Sequence, residues 1–102
     1  MCSSDLVVFA EKNGLPAAQL LPIINAGAVG SGLTRLKTDN IINADFRAAF
    51  ALKLLAKDIG LAAAGGMDTP IGQSLAATLK GAMEAGHGEE DMIAVLKYLS
   101  GK

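Results

Sequence analysis

Asp45-Phe46-Arg47-Ala48-Ala49-Phe50-Ala51-Leu52-Lys53-Leu54-Leu55-Ala56-Lys57-Asp58-Ile59-Gly60-Leu61-Ala62-Ala63-Ala64, followed by Gly65-Gly66, is the stretch whose reading decides the fold. From Ala48 to Ala64 it holds no β-branched residue except Ile59, and its apolar positions run nearly all the way round. It reads as a helix stopped by the glycine pair. A helix apolar on almost every side is normally a buried one, so other helices are expected around it and charges in its middle need an account. Counting about 100° per residue from Phe50 puts Leu54 at about +40°, Leu61 at about +20° and Lys57 at about −20°, with Asp58 at about +80° toward Ala51. On that count Lys57 and Asp58 lie on the core side, which is costly unless they are paired or face a ligand-filled cleft. The other reading makes Lys53, Ala56, Lys57, Gly60 and Ala64 a solvent strip from which Lys57 snorkels outward. Spacing alone leaves both open.

Outward from this helix, the chain reads as further helices. Leu6 to Lys12 is a short apolar helix stopped by Asn13-Gly14. Pro16 suits a first helical position, and Leu20, Ile23 and Ile24 give the next helix one apolar face up to Asn25. Gly27, Gly30 and Gly32 mark a loop, and Leu33 to Ile42 is patterned weakly enough to predict an irregular helix. On the C-terminal side Thr69-Pro70 reads as N-cap and first helical residue, and Ile71, Leu75, Leu79 and Met83 form a stripe ending at Gly86. Glu89 to Leu99 is expected as the last helix, with acids Glu89, Glu90 and Asp91 in its first turn and Lys97 near its end, both suited to the helix dipole. No strand pattern, repeat or sustained heptad is present. The fold class is therefore all-α.

The whole chain has 102 residues, 51% hydrophobic and 19% charged, with a formal net charge of −1. That is enough for one modest core. Three Phe, one Tyr and no Trp leave the packing to aliphatic side chains. A charge near zero and the lack of aromatics interleaved with basic residues argue against nucleic acid as a partner. Pro22, Lys53, Lys57 and Asp58 interrupt every run approaching the roughly 18 apolar residues of a membrane span, so no membrane is expected. One cysteine, Cys2, and one histidine, His87, supply neither a disulfide framework nor a Cys/His metal site, and a reducing cytoplasm is the expected compartment.

Other candidates for chemistry are weaker. His87 between Gly86 and Gly88 suits a turn more than a proton-transfer group on a hinge. Gly27, Gly30, Ser31 and Gly32 fit neither the dinucleotide fingerprint nor the P-loop. There is no Gly-x-Ser-x-Gly elbow, and a single histidine leaves little for a triad. Taken by itself the chain holds no complete catalytic constellation.

Residues 45–62 nevertheless resemble the central helix of the 3-hydroxyisobutyrate dehydrogenase family, the β-hydroxyacid dehydrogenases. Phe50, Leu54, Lys57, Asp58 and Leu61 match in register. Ala10-Glu11-Lys12-Asn13-Gly14-Leu15, Asn25-Ala26-Gly27 with Ser31, Thr69-Pro70, and Gly86-His87-Gly88-Glu89-Glu90-Asp91 resemble further family segments. The likeness runs from about Leu6 to Leu99.

This resemblance implies an all-helical C-terminal domain of the 6-phosphogluconate dehydrogenase C-terminal-like type, five to six helices around a central apolar one, spanning residues 6–102. In the family such a domain closes over an N-terminal Rossmann domain and builds a dimer or tetramer contact. The implied activity is hydride transfer between NAD or NADP and a small 3-hydroxy acid or its semialdehyde. Lys57 would approach the cofactor, Phe50 would wall the cleft and Asp58 would hold its polar network. The family's catalytic Lys and its Gly-x-Gly-x-x-Gly fingerprint are absent from this sequence, so the chain is expected to be a fragment, inactive alone. Residues 1–5 match no family segment and are expected to be a non-native leader. The alternative from another class is a stand-alone helical interaction module that catalyses nothing.

Overall fold

The structure, a computed structural model, describes residues 2–101. Those residues form six α-helices and a short 3-10 turn, with no strand among them and one isolated antiparallel bridge, Ala51 with Asp91. The chain divides into two compact units, Met1–Phe46 and Arg47–Lys102.

The first unit holds α1 (Cys2–Lys12), α2 (Ala17–Ala26) and α3 (Gly32–Ile42). Val7, Val8, Ala10, Ala17, Leu21 and Ile24 are its buried apolar residues. α1 starts four residues before the expected Leu6, and Ser4 in its first turn is buried. It ends as the sequence predicts, with Gly14 at φ +85. There the missing Cβ makes a left-handed turn cheap. Pro16 is the N-cap of α2 rather than its first residue. The buried positions of α2 are Ala17, Leu21 and Ile24, and Ile23 points out at 65% exposure.

α3 is more regular than its weak pattern suggests because a local device fixes its start. The Ser31 hydroxyl accepts from the Thr34 N–H at 3.1 Å, and the Thr34 hydroxyl accepts from the Ser31 N–H at 2.8 Å. This reciprocal capping satisfies two donors at the helix entry. Two apolar residues of α3 turn outward: Leu33 and Leu36 are exposed, while Lys37 is buried and Thr34, Thr38 and Ile41 are half-buried. Asn25 of α2 donates from Nδ2 to the Thr38 hydroxyl at 2.8 Å, so α2 and α3 meet partly through polar groups.

The second unit holds α4 (Leu52–Ala64), α5 (Pro70–Glu84), the 3-10 turn Met92–Ala94 and α6 (Val95–Ser100). Leu52, Leu79, Ala82, Ile93, Ala94, Val95 and Leu96 make its core. α5 begins as predicted: the Thr69 hydroxyl accepts from the Gly72 N–H at 3.1 Å, and Pro70 takes the first helical position, where its missing N–H costs nothing. Its expected stripe is only partly inward. Leu79 is buried, but Ile71 is 84% exposed, and Gly72 and Ala82 take the other buried positions.

Two boundaries depart from expectation for one reason. α4 starts at Leu52 and not at Ala48, and the last helix begins only at Val95, after the 3-10 turn. Both departures centre on Asp91, whose carboxylate accepts from the backbone N–H groups of Ala49, Phe50 and Ile93. Bonds from 49 and 50 to a residue some forty positions away compete with helical pairing of those residues, and propensity cannot see them.

Candidate functional site

α4 has two unlike sides. Leu52 is buried and Leu55, Ala56 and Ile59 are half-buried, a spacing that forms one packed face. Leu54, Lys57, Asp58 and Leu61 recur at the same spacing about half a turn away, and all four are exposed. The core-side placement of Lys57 is thus overturned: the strip Leu54–Lys57–Leu61 is the open face of the helix, while the packed face is the one α5 covers. Within the expected solvent strip, Lys53, Lys57, Gly60 and Ala64 are indeed exposed, and Ala56 is half-buried.

This open face is unusual for a solvated one. Leu54 is 42% and Leu61 62% exposed, flanking a lysine along the helix. Among the described residues the side chains of Lys57 and Asp58 have no hydrogen bond or ion pair. Lys53, one turn earlier, is committed instead: its ammonium pairs with both carboxylate oxygens of Glu89 at 2.7 and 2.9 Å. An exposed pair of that kind adds little stability but fixes where the charge sits.

Phe50 lies two residues before α4, with its side chain partly open at 38% exposure. The structure therefore groups Leu54, Lys57, Asp58 and Leu61 on one helical face and places Phe50 outside the helix, so Phe50 does not share the angular count that a longer helix implies. The entry to α4 has no capping side chain, because Ala51 is the N-cap. Its first donors are satisfied at a distance: the Leu52 N–H donates to the Glu90 carbonyl at 2.8 Å and the Lys53 N–H to the Gly88 carbonyl at 3.0 Å.

The segment 86–91 is a tight polar structure. Gly86 sits at φ +94 and the His87 N–H donates to the Ala82 carbonyl, closing α5. This is the turn the sequence suggests for His87. The imidazole Nδ1 lies 2.7 Å from Glu90 Oε1, and the Lys97 ammonium bonds Glu90 Oε2. Lys97, followed by His87, holds the Glu90 carboxyl below its ordinary value of 4.5. The expected dipole role of the acids is corrected accordingly: Glu89 and Glu90 precede the helix and pair with Lys53 and Lys97, and only Asp91 caps, accepting from Ile93 at the 3-10 turn. Asp91 is the residue that sequence reasoning missed. The sequence marks it as an acid before an apolar run and as the end of the Gly86–Asp91 segment, and neither signal says anything of Ala49 and Phe50.

A depression of about 330 Å³ lies between α4 and α5, lined by Ala56, Ile59, Gly60, Ala76, Leu79, Lys80, Met83 and Glu84, and it takes in none of the predicted site residues. Among the described residues no three His, Cys, Asp or Glu side chains cluster as a metal site would require. No described helix is long and apolar enough to cross a membrane.

A sequence model described as NAD-binding of NADP-dependent 3-hydroxyisobutyrate dehydrogenase matches residues 1–99. A probable 3-hydroxyisobutyrate dehydrogenase-like 3, mitochondrial, from Arabidopsis thaliana is 34% identical over 99 residues, covering 93% of this chain and 30% of the relative. Glyoxylate/succinic semialdehyde reductase 1 from the same plant is 32% identical over 98 residues, covering 92% of this chain and 34% of the relative. The crystal structure of 3-hydroxyisobutyrate dehydrogenase from Salmonella typhimurium superposes with a TM-score of 0.86 at 23% identity, over 95% of this chain and 35% of that one, a likeness of fold. The Mycobacterium tuberculosis 3-hydroxyisobutyrate dehydrogenase, in a structure with L-serine, gives a TM-score of 0.77 at 30% identity over 94% of this chain and 36% of that one. The all-helical fold and the family match place the chain among the 3-hydroxyisobutyrate dehydrogenase-like proteins. The chain belongs to the 3-hydroxyisobutyrate dehydrogenase family. It spans about a third of the length of the relatives it matches.

Proposed function

We propose that this chain is the C-terminal helical part, residues 6–102, of an NAD(P)-dependent reductase or dehydrogenase acting on a small 3-hydroxy acid or its semialdehyde. A Rossmann domain, a second or further copy of the enzyme and the substrate are its partners, and the cytoplasm is its compartment. The observation that carries this reading is the open face of α4, where Lys57, whose side chain has no partner among the described residues, stands between exposed Leu54 and Leu61. A free cation beside apolar surface fits a nicotinamide dinucleotide, which has flat rings and anionic phosphates. When bound, that cofactor supplies or accepts the hydride. Lys57 binds and orients the cofactor, Phe50 walls the cleft against water and Asp58, exposed on the same face, is left to meet polar groups that the cofactor and the closing domain bring. The family's catalytic Lys is absent from this sequence, so none of these residues handles the substrate's hydroxyl proton.

In the full-length enzyme Lys57→Ala is expected to raise the NAD(P)H dissociation constant at least about tenfold, the loss of one charge-assisted contact. The check is quenching and energy transfer of bound NAD(P)H fluorescence, with the melting temperature held within a few degrees. Normal cofactor affinity in a folded Lys57→Ala enzyme would return Lys57 to an ordinary solvated lysine. The 102-residue chain alone is expected not to oxidise NAD(P)H with tartronate, succinate or methylmalonate semialdehyde. Turnover by the chain alone would overturn the fragment reading. Self-association without any nucleotide binding by the full-length protein would favour the non-catalytic interaction module instead.

A further inference from the structure

Phe50 is held from both sides of its backbone. Its N–H donates to Asp91 Oδ1 at 3.1 Å, and its carbonyl accepts from the Met92 N–H at 2.8 Å. Asp91 Oδ1 also takes the Ala49 N–H at 3.0 Å, and its other oxygen takes the Ile93 N–H at 3.1 Å. Asp91 is 1% exposed, and a carboxylate so buried persists only where its oxygens are satisfied. A side chain from Ser, Asn or Asp at position 51 would cap α4 locally; Ala51 leaves that work to the segment 88–92. The backbone of Phe50 is thus clamped while its ring stays open, and the same clamp decides where α4 begins.

We propose that Asp91 is a positioning residue of the site on α4. Its carboxylate sets the place of the Phe50 ring, so substrate and cofactor meet a wall whose geometry is fixed from a distant turn. The proposal rests on the assignment of Phe50 and Lys57 to the cleft.

The test uses the full-length enzyme with Asp91→Asn, Phe50→Ala, Lys57→Ala and the Asp91→Asn/Phe50→Ala pair. Asn keeps the size of the side chain but turns an amide donor toward at least one N–H. The expected result is a rise in substrate KM of about tenfold for Asp91→Asn, in line with the cost of misplacing a binding group. The double variant is expected to be no worse than Phe50→Ala alone, the non-additivity of two residues acting through one contact. Unchanged KM in a folded Asp91→Asn enzyme, with Phe50→Ala and Lys57→Ala both impaired, overturns the positioning role and leaves the site standing. Additive losses overturn it too, since Asp91 would then act without Phe50. Normal binding in both Phe50→Ala and Lys57→Ala overturns the site itself, and the positioning role with it. If Asp91→Asn does not fold, replacing the Phe50 amide by an ester removes the single N–H and leaves the carboxylate in place. The same KM rise is then expected, and its absence counts against the proposal.

Discussion

Glu90 shows how one side chain can carry a pH dependence. Its carboxyl is held below 4.5 first by the bond from Lys97 and then by that from His87. A carboxylate whose folded value is depressed contributes stability in full above its unfolded value, and loses it as pH falls through the folded one. Urea unfolding of the chain should therefore show Glu90→Gln less stable than the wild type near neutral pH, with the gap closing below about pH 4.5, the ordinary carboxyl value. A gap that stays constant down to strongly acid pH would mean that the Lys97 and His87 contacts add nothing. Asp91 should matter more. Asp91→Ala leaves three backbone donors without their acceptor, and because Ala49 and Phe50 are exposed, water can replace part of the loss. A cost of about 2–4 kcal/mol is expected from the usual worth of bonds to a charged group, read from the denaturant midpoint at constant slope. At this scale the sequence is legible only where partners are near in the chain. Thr69 and Ser31 announce their caps within three residues, whereas Asp91 acts on residues 41 and 42 positions away.

Among the elements, α5 and α6 meet at a place where size decides the sign of a substitution. A Cβ built on Gly81 falls inside the phenol of Tyr98. In an ordinary helix interior Gly→Ala gains about 0.5–1 kcal/mol, but overpacking typically costs about 1–3 kcal/mol. Tyr98 is 38% exposed and can swing outward, so the cost falls at the low end of that range. With the helical gain set against that cost, Gly81→Ala is expected to destabilise the chain by less than about 1 kcal/mol, and the same change in a Tyr98→Ala background should stabilise it. A thermal-melt cycle over the four proteins checks this, and the same sign in both backgrounds would rule out the steric account. Helix existence was legible from period and punctuation: Gly14, Thr69-Pro70 and Gly86 all mark real boundaries. The start of α4 was not. Residues 48–51 carry helical composition, and only the distant turn at 88–91 explains why they stay out of the helix up to Leu52. That one boundary also changed the site, because it moved Phe50 off the helix from which its angle to Lys57 had been counted.

At the scale of the whole chain, the faces left open are apolar in a way that a free-standing protein of this size would not favour. Phe9, Ile23, Val29, Leu36, Leu61 and Ile71 are each more than 60% exposed. α3 is the clearest case, since it buries Lys37 and half-buries two threonines while turning Leu33 and Leu36 outward. Burying one such aliphatic side chain is worth about 1.5–3 kcal/mol, so a few of them meeting another surface outweigh the cost of drying the polar groups around them. The high apolar composition is here partly surface for something else to cover. The chain spans about a third of its relatives, and the proposed Rossmann domain and further copies of the enzyme are surfaces of the right character. Expressed alone, the chain should therefore associate as its concentration rises through the micromolar range and should bind a hydrophobic dye. Ile23→Asp with Leu36→Asp should lower the sedimentation coefficient toward that of a 10.4 kDa monomer and reduce dye binding. The melting temperature should hold, because neither side chain belongs to the core. Monomeric behaviour of the unsubstituted chain throughout that range, without dye uptake, would show that these residues are merely solvated. Loss of folding in the double variant would show instead that α2 and α3 depend on them.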